Sequence, residues 1–75
     1  MKSLYIKIDN ITDVVDFVRK ATEVSEDILV KKGVFCVDAK SVMGMFSLDL
    51  STGVTVEYPE TALEFENFII NYKVG

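Results

Sequence analysis

The chain contains no histidine. It therefore lacks the commonest general base, the commonest metal ligand and the side chain that changes charge near neutral pH. Cys36 is a single cysteine with no imidazole to activate it. In a strand-like run it reads as a small buried hydrophobe, not a nucleophile. Asp9, Asp13 and Asp16 lie close in sequence. They lack the glycine and twelve-residue frame of an EF-hand loop and suit the start of a helix, where the dipole favours acids. Glu64 and Glu66 fall on different faces of a helix, as solvated side chains do. Ser47 and Ser51 have no base. Gly33, Gly44 and Gly53 are too widely spaced for a phosphate-cradling loop. No metal site, no cofactor and no enzymatic activity is expected. Ser41 stands apart. With Asp38 it can cap a short helix. A phosphate on Ser41 would meet free N–H groups and a positive dipole end, with Lys40 adjacent.

Composition narrows the partners. The net charge is −4, from 8 basic and 12 acidic residues, and the only adjacent basic pairs are Arg19-Lys20 and Lys31-Lys32. That is no electrostatic footprint for nucleic acid. The sequence has no run of about 18 apolar residues to insert into a membrane and no cleavable leader, so a cytoplasmic location is expected. At 75 residues and 49% hydrophobic, the chain reads as one small ordered domain spanning 1–75.

The elements follow from periodicity. Leu4, Ile6 and Ile8 alternate with Ser3, Tyr5 and Lys7, which predicts a half-buried strand. Asn10 can cap a helix, with Asp13 as a weak capping-box partner. That helix is expected from Ile11 to about Val24, with Ile11, Val14, Val15, Val18, Ala21 and Thr22 as its apolar stripe. Ile28–Lys31 and Val34–Val37 flank Gly33 as a hairpin. The stretch Asp38 to Leu48 holds a short helix of about two turns, apolar on most sides through Val42, Met43, Met45 and Phe46, with Gly44 inside it at a cost of about 1 kcal/mol relative to Ala. Asp49 to Gly53 is a polar loop interrupted by Leu50. Val54, Val56 and Tyr58 mark a fourth strand. A last helix starts either with Pro59 in its first turn or with Thr61 capping onto Glu64. Its inner stripe is Ala62, Phe65, Ile69 and Tyr72, with Phe68 beside it. The order β-α-β-β-α-β-α predicts an α/β (α+β) domain. We expect a two-layer open-faced sandwich, with three helices on one face of a mainly antiparallel four-stranded sheet. Tyr5 lies on the open face. The sequence leaves the oligomeric state open.

The run Lys40-Ser41-Val42-Met43-Gly44-Met45-Phe46-Ser47-Leu48 resembles the regulatory-serine segment of HPr, the small phosphocarrier of the bacterial sugar phosphotransferase system. The family pattern there is approximately K-S-[IV]-M-G-[VLM]-[ML]-S-L. The element order is also similar to HPr. HPr carries phosphate on a histidine in a G-I-H-A-R-P-A-like segment that opens its first helix. Counted back through the first helix without a gap, that segment falls on Ile8 to Val14. Asn10 then occupies the histidine position, Thr12 the arginine and Asp13 the proline. An amide nitrogen is not a nucleophile toward phosphorus as imidazole is. Asp9 and Asp13 also repel an incoming phosphate, against the pull of the helix N-terminus.

The resemblance therefore implies a divergent member without the phosphorylatable histidine, acting as a regulatory or protein-binding module. It also implies where binding occurs. Met43 and Phe46 match an exposed apolar patch that docks partner proteins, and Val42 and Met45 compete for that role. Val15 and Arg19 match neighbouring positions on the first helix. Ser41 matches the serine that a dedicated kinase phosphorylates in some bacteria; a plain helix cap is its simpler reading. The alternatives are a carrier phosphorylated at another residue, such as Asp9 or Asp13, and a decayed paralogue without a partner.

Overall fold

The computed structural model describes residues 1–74. Strands β1 (Lys2–Ile6), β2 (Leu29–Lys32), β3 (Phe35–Asp38) and β4 (Val54–Tyr58) form one sheet in the order β1-β4-β2-β3. Every pairing in it is antiparallel. Helices α1 (Ile11–Thr22), α2 (Val42–Phe46) and α3 (Leu63–Ile69) cover one face, completing the expected open-faced sandwich. Two 3-10 turns, Leu50–Thr52 and Ile70–Tyr72, complete the elements.

Register sorts the two faces. Leu4, Val56, Val30 and Val37 stand opposite one another across all four strands and pack toward the helices. The next row, Tyr5, Thr55, Lys31 and Cys36, lies on the helix-free face. Cys36 is therefore exposed, not buried. Its strand is an edge strand, and its place beside Lys31 puts it on the open side. The outer edge of β1 is not bare. Lys73 bridges to Ile6, and the Val74 amide donates to the Tyr5 carbonyl.

The core is built from Ile6, Val30, Val54 and Val56 of the sheet against Phe17, Met45, Phe65 and Ile69 of the helices. Phe17 meets Phe65 edge-to-face at 5.5 Å between ring centroids, an arrangement aromatic pairs favour. The buried stripe of α1 is Val14, Phe17, Val18 and Ala21. That stripe differs from the expected one: Phe17 is its centre, while Ile11 and Val15 face outward. The helix also ends at Thr22, two residues earlier than expected. Leu50 of the expected polar loop is buried at the start of a 3-10 turn capped by Asp49.

The start of α3 follows neither expected cap. Its N-cap is Ala62, with no side-chain hydrogen bond. The Thr61 hydroxyl instead donates to Glu26 Oε2 at 3.1 Å, tying α3 to the segment after α1. No helix among the described residues is long and apolar enough to cross a membrane.

Candidate protein-docking site

Asn10 caps α1. Its Oδ1 accepts the backbone N–H of Thr12 at 2.9 Å and of Asp13 at 3.4 Å. The carboxamide is thus engaged with the backbone it opens, and Thr12 is exposed beside it. Asp13 is not a capping-box partner in the observed bonding. Its carboxylate stands beside the Tyr72 hydroxyl; burial first, then the Asp13 charge, pushes that phenol up from its ordinary value.

Ser41 caps α2. Its Oγ accepts the Gly44 N–H at 3.1 Å, and its own N–H donates to the Asp38 carbonyl at 3.0 Å. Asp38 supports this turn through its side chain, which accepts the Lys40 N–H at 2.9 Å and does not itself cap the helix. Gly44 brings α2 close to β3: a Cβ there would lie 3.4 Å from the Val37 Cβ and 3.2 Å from the Ser41 Oγ. Ser41 remains exposed.

α2 packs beside α1. Met45 is fully buried between them and the sheet, which removes it as a docking residue. Met43 is 85% exposed, and Phe46, Val42 and Val15 are each close to half exposed. Ile11, assigned from sequence to the core, is 72% exposed and joins this apolar surface. Its spacing with Val14 and Val18 satisfies a core stripe, but it is the first residue of α1, where the helix overhangs the core. Arg19 lies two turns along α1 and pairs with Asp16 at 2.8 Å.

Where the head of α1 meets the end of α2, Asp9, Asn10, Ile11, Phe46, Leu48 and Asp49 line a shallow cavity of about 190 Å³. Sequence reasoning missed Asp49 as part of this rim. Its carboxylate accepts from the Ser51 hydroxyl at 2.6 Å and the Ser51 N–H at 3.2 Å. Those bonds hold it below the usual carboxylate range. An apolar surface with an amide and two carboxylates at one end can bind a protein. Among the described residues it presents no imidazole; its charged groups are the carboxylates of Asp9 and Asp49.

No curated protein matches the chain. Among solved structures, HPr-C-His from Thermoanaerobacter tengcongensis is similar, at 29% identity and a TM-score of 0.77, over 95% of this chain and 89% of that one. Phosphocarrier protein HPr from Bacillus anthracis is 25% identical with a TM-score of 0.72, over 96% and 94%. The Bacillus subtilis catabolite repression protein Crh, described as a swapped dimer, shares the fold at 24% identity and a TM-score of 0.64, over 96% and 90%. The family model for the HPr component of the phosphotransferase system, described by its phosphorylation site, matches residues 14–58. With more than half of its length matched, this chain belongs to the HPr family, whose members are relay and binding proteins and not enzymes.

Proposed function

We propose that this chain is a cytoplasmic regulatory or protein-binding member of the family, one HPr-like domain over 1–75, and not a phosphate relay. The observation that carries this reading is the pairing of an exposed apolar surface with a helix head that holds Asn10. Met43, Phe46, Val42 and Val15 supply the contact area, Ile11 extends it, and Arg19 stands at its edge. The Asn10 side chain is occupied as a cap. The family match begins at Val14, the last residue of the segment in which the carrier histidine would stand. Ser41 is the point of control in this reading. A phosphate on its exposed hydroxyl would add negative charge beside Val42 and Met43, and a serine kinase is the partner that would place it.

The relay question is tested by incubating the chain with the first enzyme of the phosphotransferase system, phosphoenolpyruvate and magnesium, followed by mass-spectrometric site mapping. No phosphate is expected on the chain. A phosphoryl group mapped to Asp9, Asp13 or any other residue would replace this reading with a carrier role. The docking surface is tested by binding. Met43→Asp and Phe46→Asp should each abolish the partner capture that the wild-type chain shows, whereas Val34→Asp, at the hairpin tip, should not. A wild-type chain that captures nothing from its own cell would fit a decayed paralogue instead.

A further inference from the structure

The apolar surface between α1 and α2 has charged groups at both ends, and they are not balanced alike. At one end Arg19 is paired with Asp16, and Lys40 stands near the Glu26 carboxylate. At the other end Asp9 and Asp49 are exposed on the cavity that Ile11 and Phe46 share. Among the described residues no ion pair engages Asp9. Lys32 lies near Asp49, but its ammonium donates to the Asp49 main-chain carbonyl at 2.9 Å and to the Thr52 hydroxyl. The α1 dipole opposes these acids with roughly half a positive charge, and Asn10 already takes two of the N–H groups that express it. Lys32 also offsets part of the Asp49 charge, whereas Asp9 has no ion pair among the described residues, so acids still outweigh the cation and the dipole at this end of the surface.

We infer that the partner presents a lysine or arginine next to an apolar residue, with the cation in the cavity lined by Asp9 and Asp49 and the apolar part on Ile11 and Phe46. This rests on the docking surface proposed above. A guanidinium suits the place, since its methylene stem can lie on apolar walls while the weakly hydrated head meets carboxylates. A second copy of this chain fits less well, because the basic groups flanking its own patch, Arg19 and Lys40, already face acids. Complementary charge at such a rim sets partner choice more than total affinity.

The test is an NMR titration of the isotope-labelled chain at low salt with three probes: acetyl-Leu-Arg-Leu-amide and its Gln and Glu counterparts. The Arg peptide should shift the amides of Asp9, Ile11, Phe46 and Asp49 at roughly threefold lower concentration than the Gln peptide, the worth of an exposed ion pair. The Glu peptide should be weaker still. The Arg advantage should shrink in Asp9→Asn, where Asp49 remains, and vanish at about 1 M salt, where the Debye length is about 3 Å. Equal binding of the Arg and Gln peptides by the wild-type chain would overturn the charge inference and leave the docking surface standing. Failure of all three peptides to move these amides would overturn both. Concentration-dependent shifts of the same amides in the free chain would assign the surface to a second copy instead.

Discussion

Gly44 and Gly53 meet opposite demands. Gly53 is buried with φ of +106°, a backbone state that side chains with a Cβ rarely adopt. A Cβ there would lie 2.1 Å from the Tyr5 Oη and 2.4 Å from its Cζ. The tyrosine is held in place, since its hydroxyl donates to the Thr52 carbonyl at 3.2 Å. Gly53→Ala should therefore destabilise the chain by at least about 2 kcal/mol, from backbone strain and overlap together. In a Tyr5→Ala background only the strain remains, so the alanine should cost less there, and a double-mutant cycle by urea denaturation reads the difference. Gly44 has helical geometry, and its tightest would-be contact is 3.2 Å. There the gain in helix propensity, about 1 kcal/mol, works against crowding of the Ser41 cap and Val37. Gly44→Ala should stay within about 1 kcal/mol of wild type; a loss equal to that at Gly53 would contradict this account. The same glycine shows how far the sequence could be read at this scale. Its cost to α2 is legible from helix propensity, but the strand it approaches is not.

At the scale of elements, the caps separate local from long-range control. Asn10 and Ser41 are local devices whose oxygens bond amides two to three residues on, and both were legible from residue type and position. Asn10→Ala should cost about 1 kcal/mol in thermal or urea unfolding. Thr61→Ala should cost a fraction of that, because Thr61 caps nothing and bonds Glu26 at the surface. A loss as large as that of Asn10→Ala would mean the hydroxyl does cap α3. The T-x-x-E signature misled because a partner 35 residues away took the hydroxyl. Two further misreadings have similar causes. Val34 to Val37 is apolar throughout, so the run has no parity of its own. Pairing with β2 turned Val37 inward and Cys36 outward. In α1, two overlapping faces satisfy the spacing of three and four. The sheet and the Phe65 ring selected the one centred on Phe17, which left Ile11 and Val15 exposed. The strands, the hairpin at Gly33 and the order of elements were legible because alternation and turn chemistry are local. Exposure on α1 and the charged rim at Asp49 were not, since both depend on which helix lies alongside.

For the whole molecule, a three-residue cluster links the sheet to α3 and sets how stability varies with pH. Lys2 and Tyr58 are register partners on β1 and β4, and both reach Glu66 of α3. The Tyr58 hydroxyl donates to Glu66 Oε2 at 2.5 Å, and the Lys2 Nζ lies 2.9 Å from the same oxygen. The Tyr58 bond first, then Lys2, holds the Glu66 carboxyl below its ordinary value of 4.5. A carboxyl whose folded pKa is depressed stabilises fully above its unfolded value and loses that contribution as pH falls through the folded one. Stability should therefore decline on acidification from about pH 4.5 downward, with Asp49 and Glu26, also held low by hydrogen bonds, acting in the same sense. Tyr58 acts at the other end. Burial, then its bond to Glu66, raises its phenol from 10.0 to about 12. Between those values the unfolded chain loses a proton that the folded one keeps, so stability falls as pH rises through that range. Tyr72, also raised by burial and by Asp13, adds to the alkaline decline. Tyr58→Phe discriminates, since it keeps the ring packed edge-to-face on Phe65 and removes only the hydroxyl. At pH 7 it should cost about 1 kcal/mol, a typical net hydrogen bond. Relative to wild type, its urea midpoint should fall less steeply between pH 9.5 and 11.5, with Tyr72 left as the remaining phenol, and less steeply below pH 4.5. An unchanged slope at both ends would show that the cluster does not couple α3 to the sheet.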